Sequence, residues 1–208
     1  MNKMNDYGAG VGTLYKIEPL NKGFFQQPTI ELAQSLLGCL LVKETRDGVS
    51  AGYIVETEAY KGPDDRAAHS YGNRRTKRTE VMFGKAGVVY TYTMHTHCLI
   101  NVVSAGINEP EAVLIRALEP YAGIELMKQR RPIDKMKNLT NGPGKLTKAM
   151  GITMEDYGLK FFERPLFISE GYTPEDIARG PRIGIPNTGE AREYPWRFWV
   201  KGNEFVSR

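Results

Sequence analysis

Apolar and polar positions alternate with period two through Gly52-Tyr53-Ile54-Val55-Glu56-Thr57-Glu58-Ala59-Tyr60, which predicts a strand. On that alternation Ile54, Glu56, Glu58 and Tyr60 share one face, and Tyr53, Val55, Thr57 and Ala59 share the other. Two carboxylates and a tyrosine stand where apolar side chains would pack better, so the strand gives up stability for chemistry. Gly62-Pro63 ends it. Asp64 is placed to cap a short helical turn that closes at His69, which returns an imidazole toward Glu58 and Tyr60.

The same patterning orders the rest of the chain. Thr29 fits an N-cap, with Leu32, Leu36 and Leu37 at helical spacing before Gly38 ends the helix. Cys39-Leu40-Leu41-Val42 reads as a short strand, and Arg46-Asp47-Gly48 turns it into the Ala51–Val55 arm of a hairpin. Val88 to Met94 and Cys98 to Val103 are strands by composition, joined by a tight tip around His95-Thr96-His97 that lacks the usual turn residues. Ala112 to Leu118 continues the pairing and ends at Glu119-Pro120. Arg116 in so apolar a strand needs an anion or a carboxylate beside it. Tyr121 to Arg131 reads as a helix, and Asn141-Gly142-Pro143-Gly144 leads into a second, Lys145 to Met150, closed by Gly151. Leu166 to Ser169, Arg182 to Ile185 and Trp196 to Val200 are short strand-like pieces. The expected class is α+β: one mixed domain, residues 21–208, around a curved antiparallel β-sheet with flanking helices.

Length and composition fit that expectation. The chain has 208 residues, 41% hydrophobic and 25% charged, which suits one soluble domain with a real core. Apolar runs fall short of the roughly 18 residues a membrane span needs. Residues 1–20 read as a flexible polar lead rather than a signal peptide, so an intracellular protein is expected. Cys39 and Cys98 sit in apolar stretches and read as small core residues of a reducing compartment. Net charge is only +4, but the bases cluster. Arg74, Arg75, Lys77 and Arg78 follow the site stretch, and Lys128 to Lys137 holds a second group. Two clusters flanking an aromatic, acidic site favour a phosphate-bearing partner over a merely solvated face.

Three chemistries fit these residues unequally. His95-Thr96-His97-Cys98 has metal-ligand types but lacks further ligands at sensible spacing, so an exposed polar tip is the better reading and no metal is expected. Glu56 and Glu58, with Asp64 and Asp65 following, suit a carboxylate pair of a glycosidase or a magnesium nuclease, although nothing specifies a sugar. Single-base chemistry on a nucleic acid accounts for more of the chain. Tyr60, His69 and Tyr92 can offer faces to an extruded base and Glu58 can activate water. Arg74, Arg75, Lys77, Arg78 and Lys145 can meet phosphates, and the Met94 to His97 tip can fill the gap in the stack. A non-enzymatic binder of damaged DNA would use the same parts.

The stretch GYIVETEAYKGPDDRAAHS closely resembles the signature of the alkyladenine (3-methyladenine) DNA glycosylase family. The similarity continues through MFGKAGVVYTY, INVVS, AVLIRALEP, LTNGPGKLTKAMGI and PWRFWVKGN, from about residue 23 to the C-terminus. It implies a monomeric, cofactor-free and metal-free enzyme of base excision repair. Such an enzyme flips alkylated or deaminated purines from double-stranded DNA and hydrolyses the N-glycosyl bond, in the cytoplasm or at a bacterial nucleoid. By position, the resemblance makes Glu58 the water-activating carboxylate and Arg116 its neighbour near the backbone. It makes Tyr60, His69 and Tyr92 the walls of the base pocket, and Asn101 the residue at the purine's exocyclic edge. At the tip the chain is about one residue shorter than the family pattern, which leaves Met94 and His95 as competing wedges.

Overall fold

The computed structural model describes residues 17–207. The expected lead falls mostly outside them; within them, Leu20 already donates its N–H to Ile168 O at 2.8 Å. Among the described residues, eight strands form one curled antiparallel sheet in the order β3-β4-β5-β2-β1-β6, with β8 joining β2 and β7 joining β8. The strands are β1 (Leu40–Thr45), β2 (Gly48–Tyr60), β3 (Val89–Met94), β4 (His97–Ser104), β5 (Glu111–Ala122), β6 (Leu166–Ser169), β7 (Ile177–Gly180) and β8 (Arg197–Val200). Helices α1 (Thr29–Ser35), α2 (Ile124–Arg130) and α3 (Pro143–Met150) complete the α+β domain.

All three helices cover one face of the sheet. Leu32 and Leu36 of α1, Met127 of α2, and Leu146 and Met150 of α3 pack in one core with Ile54, Ala59, Ile100, Val113, Ile115 and Leu118. Burying that apolar area is the main source of stability. The opposite face carries a smaller cluster of Tyr90, Tyr92, Leu99, Val103, Ala112 and Leu114, with Tyr60 against it.

The central strand departs from simple alternation. Ile54 pairs with Leu118 and Glu56 with Ala117, so Val55 is an extra residue in β2; Thr57 then pairs with Ile115, so Arg116 is an extra residue in β5. Each register shift reverses which side chains face the core. Ile54 therefore lies in the helix-covered core rather than beside Glu56, and Val55 joins Ala117 and Phe205 instead. Beyond the shift the expected pattern holds, with the Thr57 hydroxyl donating to Ala33 O at 2.7 Å on the helix side.

Several boundaries differ from expectation. Thr29 is the first residue of α1 and caps nothing; its hydroxyl meets Ser104 Oγ at 2.8 Å and the Glu111 carboxylate. Strand β5 runs through Pro120 to Ala122, so the following helix starts at Ile124 rather than Tyr121. Gly123 makes that junction with φ +69°, where a Cβ would sit 2.1 Å from Val49 O. The strand expected at Arg182–Ile185 lies earlier, at Ile177–Gly180, because Pro181 removes a donor the ladder needs.

Candidate active site

One row across the sheet holds the site. Glu58 of β2 pairs with Leu114 of β5, Leu114 with Asn101 of β4, and Asn101 with Tyr90 of β3. Period two adds Tyr60 and Tyr92 to the same face. Asn101 is buried and fixed, its side-chain amide donating to Tyr90 O at 3.0 Å.

Glu58 is fully buried. Its Oε1 accepts the Ile183 N–H at 2.7 Å, while Oε2 accepts the Tyr60 hydroxyl at 2.8 Å and faces Arg116 Nη1 at 3.2 Å. Burial pushes the carboxyl up, the Arg116 charge and the two hydrogen bonds pull it back, and the net direction is upward. Arg116 finds the partners its burial demanded: Glu58, and Glu56 Oε1 at 3.0 Å from Nε. Burial works against its proton, but the two carboxylates prevail and keep it charged.

The loop after β2 returns His69 as expected, but a different carboxylate organises it. Asp64 is exposed, whereas Asp65 is buried and accepts the N–H groups of Lys61 at 3.1 Å and Ala67 at 3.0 Å. Asp65 also takes a two-pronged pair from Arg182 at 2.5 and 2.8 Å. The Arg182 guanidinium in turn lies between the rings of Tyr60 and Trp196, 4.7 and 5.0 Å from their centroids. One face of Tyr60 is thus backed by a buried cation.

His69 Nδ1 meets the Tyr90 hydroxyl at 2.7 Å, and its ring stands edge-on to Tyr92 with centroids 4.5 Å apart. Tyr90 and Tyr92 lie 5.6 Å apart at 31°. Tyr90 thus joins Tyr92 on this face, as its two-residue spacing from Tyr92 in the strand allows.

The basic cluster is less uniform than its sequence. Arg74 and Lys77 are exposed. Arg75 is engaged with Glu80 at 2.6 Å and lies 4.9 Å from the Phe83 ring centroid. Arg78 turns inward: its guanidinium lies 5.0 Å over Tyr92, 2.9 Å from His69 Nδ1 and against His69 Nε2. Lys145 is half-buried, donating to Asn141 Oδ1 at 2.8 Å, and burial lowers its proton affinity with Arg131 adding to the effect.

The hairpin between β3 and β4 turns on two residues, His95 and Thr96, with Met94 paired to His97. Both turn residues have positive φ, 45° and 72°, so the bend of the expected tip falls on His95 and Thr96, and His97 already belongs to β4. His97 packs against the first turn of α3, where a Cβ on Gly144 would lie 2.7 Å from His97 Cβ. Met94 is 39% exposed and, two residues from Tyr92, shares its face. Among the described residues no group of three or more His, Cys, Asp and Glu is arranged to hold a metal, and no helix is long and apolar enough to cross a membrane.

Sequence reasoning missed four further participants. Glu56 is fully buried and accepts from Arg197 Nε at 2.6 Å and from the Ser207 N–H at 2.6 Å. Arg197 and Ser207, with Arg182 and the Ile183 N–H, are the four, and all come from the last thirty or so residues of the chain, where no local pattern marks them.

Comparisons with known proteins identify the family. Residues 23–204 match the family model described as methylpurine-DNA glycosylase. A Bacillus licheniformis protein named "Putative 3-methyladenine DNA glycosylase" is 71% identical over 191 residues, 92% of this chain and 97% of that protein. Proteins of the same name from Bacillus subtilis and Listeria monocytogenes are 65% identical over 190 residues (91% and 97% of the two chains) and 48% identical over 190 residues (90% and 92%). The match spans the sheet, the buried Glu58 and the aromatic face together, and the chain belongs to the methylpurine-DNA glycosylase family, hydrolases of N-glycosyl bonds in DNA.

Proposed function

We propose that the protein is a monofunctional, monomeric 3-methyladenine DNA glycosylase that flips damaged purines from duplex DNA and leaves an abasic site. Its substrates are 3-methyladenine, 7-methylguanine, hypoxanthine and ethenoadenine. The observation that carries this reading is the Glu58 carboxylate, buried, held by Ile183, Tyr60 and Arg116, and bordered by tyrosines.

Breaking an N-glycosyl bond builds positive charge on the sugar. Glu58 stabilises that charge and takes a proton from the water that attacks C1′. Its upward-shifted carboxyl is the more basic for that task. Arg116 keeps the carboxylate aimed, since Nη1 meets Oε2. The rings of Tyr60 and Tyr92 offer faces to the base, and a cationic methylpurine gains cation–π attraction there. Asn101, fixed by Tyr90 O, is suited to probe the purine edge. His69 is held below its ordinary range, to about 4, by burial and by Arg78 and Arg74. It is therefore neutral at physiological pH and adds no charge against a cationic base. Lys61, the lysine nearest Glu58 in sequence, instead lines a separate cleft with Thr29 and Glu111, which supports hydrolysis by water over attack by an amine.

Arg74, Arg75, Lys77, Arg78 and Lys145 would meet phosphates, and Met94 or His95 would fill the vacated stack. A DNA substrate puts the protein in the cytoplasm, at the nucleoid in a bacterium. Duplexes each carrying one of the four lesions test the reading. Base release without strand cleavage is expected, and binding that weakens steeply as salt rises. Release of none of the four would refute it.

A further inference from the structure

The last residues of the chain reach the site through a carboxylate that the mechanism above does not use. Glu56 Oε1 accepts from Arg116 Nε at 3.0 Å, Arg197 Nε at 2.6 Å and Ser207 Oγ at 2.8 Å, and Oε2 accepts the Ser207 N–H at 2.6 Å. Ser207 Oγ also accepts from Arg116 Nη2 at 3.3 Å, and Ser207 O from Arg197 Nη2 at 3.2 Å. The tail is anchored by Phe205, which packs with Val55 and Ala117 beside the double register shift.

The three nitrogens of Arg116 are therefore divided. Nε goes to Glu56, Nη2 to Ser207 and only Nη1 to Glu58. A guanidinium is planar, so fixing two of its nitrogens fixes the direction of the third. We propose that Ser207 is a positioning residue for excision, acting through Glu56 and Arg116 to hold Arg116 Nη1 on Glu58; this rests on Glu58 being the carboxylate that activates water.

The direction of the effect follows from charge. Ser207 gives Glu56 two hydrogen bonds that satisfy its buried oxygens. Without them Glu56 draws Arg116 toward itself, Nη2 loses its acceptor, and Glu58 keeps less of the positive charge that favours its ionised form. Arg197 alone cannot replace both donors, since its Nε already serves Oε1.

The test uses the full-length protein with three substitutions. Ser207→Pro removes both the N–H and the hydroxyl, Ser207→Ala removes the hydroxyl alone, and Ser207→Thr keeps both groups. The single-turnover excision rate is followed against pH on a duplex carrying 7-methylguanine, alongside duplex affinity and circular dichroism. For Ser207→Pro the expected result is a fall in rate of roughly tenfold with affinity nearly unchanged, and an acidic limb displaced to higher pH. Ser207→Ala should be intermediate and Ser207→Thr close to wild type. A tail that served folding alone would lower the melting temperature and leave the limb in place.

A folded Ser207→Pro protein with wild-type rate and unmoved limb overturns the proposal. If Ser207→Pro does not fold, equal rates in Ser207→Ala and Ser207→Thr overturn it. Titration of the Glu58 carboxyl carbon by NMR separates this from the glycosylase reading. Its midpoint should rise in Ser207→Ala whether or not base is released, whereas wild-type protein that releases no base refutes only the glycosylase reading.

Discussion

Arg78 covers Tyr92: its guanidinium lies 5.0 Å from the ring centroid and against both nitrogens of His69. A purine can stack on that face of Tyr92 only after the guanidinium leaves, and Arg78 is an exposed residue with room to swing toward a phosphate. Arg78→Ala should therefore bind free 3-methyladenine more tightly than wild type in the absence of DNA, read by quenching of tyrosine and tryptophan fluorescence. It should bind undamaged duplex more weakly, with the salt slope reduced by about one. Unchanged affinity for the free base would show that Arg78 does not obstruct the slot.

The same contact governs the charge of His69. Its imidazole is pushed down to about 4 by burial and then by Arg78 and Arg74. A proton-detected titration of His69 should give a midpoint near 4 in wild type, and a higher one in Arg78→Ala. The unfolded chain takes up this proton near the ordinary 6.5, before the folded chain does. Stability from neutral His69 is thus fully present above about 6.5 and lost as pH falls toward the folded value. The melting temperature of wild type should drop across that window, and that of His69→Gln should drop less.

Glu58 runs the other way. Its folded value lies above the ordinary 4.5, so the folded protein holds this proton more firmly than the unfolded chain does. Ionised Glu58 costs stability at neutral pH, and the cost is relieved as pH falls through the folded value. Excision should fall along an acidic limb lying above the usual carboxylate range. Glu58→Gln should abolish base release and keep duplex binding, because Arg116 retains Glu56. It should also melt no lower than wild type near pH 7. Retained excision would remove Glu58 from its role.

How much of this was legible depends on the range of each interaction. The strand carrying Glu58 and Tyr60, the return of His69 and the Tyr90–Tyr92 strand follow from local periodicity and turn residues. The register shift at Val55 does not, because it is set by a compensating extra residue, Arg116, in another strand. It moved Ile54 to the opposite face from the one alternation gives. Asp64 reads locally as the cap, and Asp65 takes over the loop only because Arg182 arrives from far along the chain to pair with it. Arg78 reads as one base among four, and only the fold shows it lying on Tyr92.

Arg182 is expected to be the most sensitive structural residue of the pocket. It is buried, pairs with Asp65, donates to Ala59 O at 2.9 Å and to Ala191 O at 3.0 Å, and backs the Tyr60 ring. Arg182→Ala leaves the buried Asp65 uncompensated, which should cost on the order of 3–5 kcal/mol. Arg182→Lys keeps the charge but loses the fork, so chemical denaturation should place it between the two. Wild-type stability in Arg182→Ala would show that Asp65 finds other partners.

At the hairpin tip, backbone strain and the wedge lie on different residues. His95 and Thr96 both adopt positive φ in a two-residue turn, where Asn-Gly is the favoured pair. A β-branched threonine held there stores strain of about 1–3 kcal/mol. Thr96→Gly should raise the melting temperature and leave excision intact, because it spares Met94 and His95. Met94 shares the face of Tyr92, so Met94→Ala should slow excision from duplex more than His95→Ala does. A wedge fills the gap that a flipped base leaves in a stacked duplex. The loss in Met94→Ala should therefore shrink when the lesion sits opposite an abasic position, where the stack is already broken. A larger loss in His95→Ala, with the same recovery, would assign the wedge to the tip residue instead.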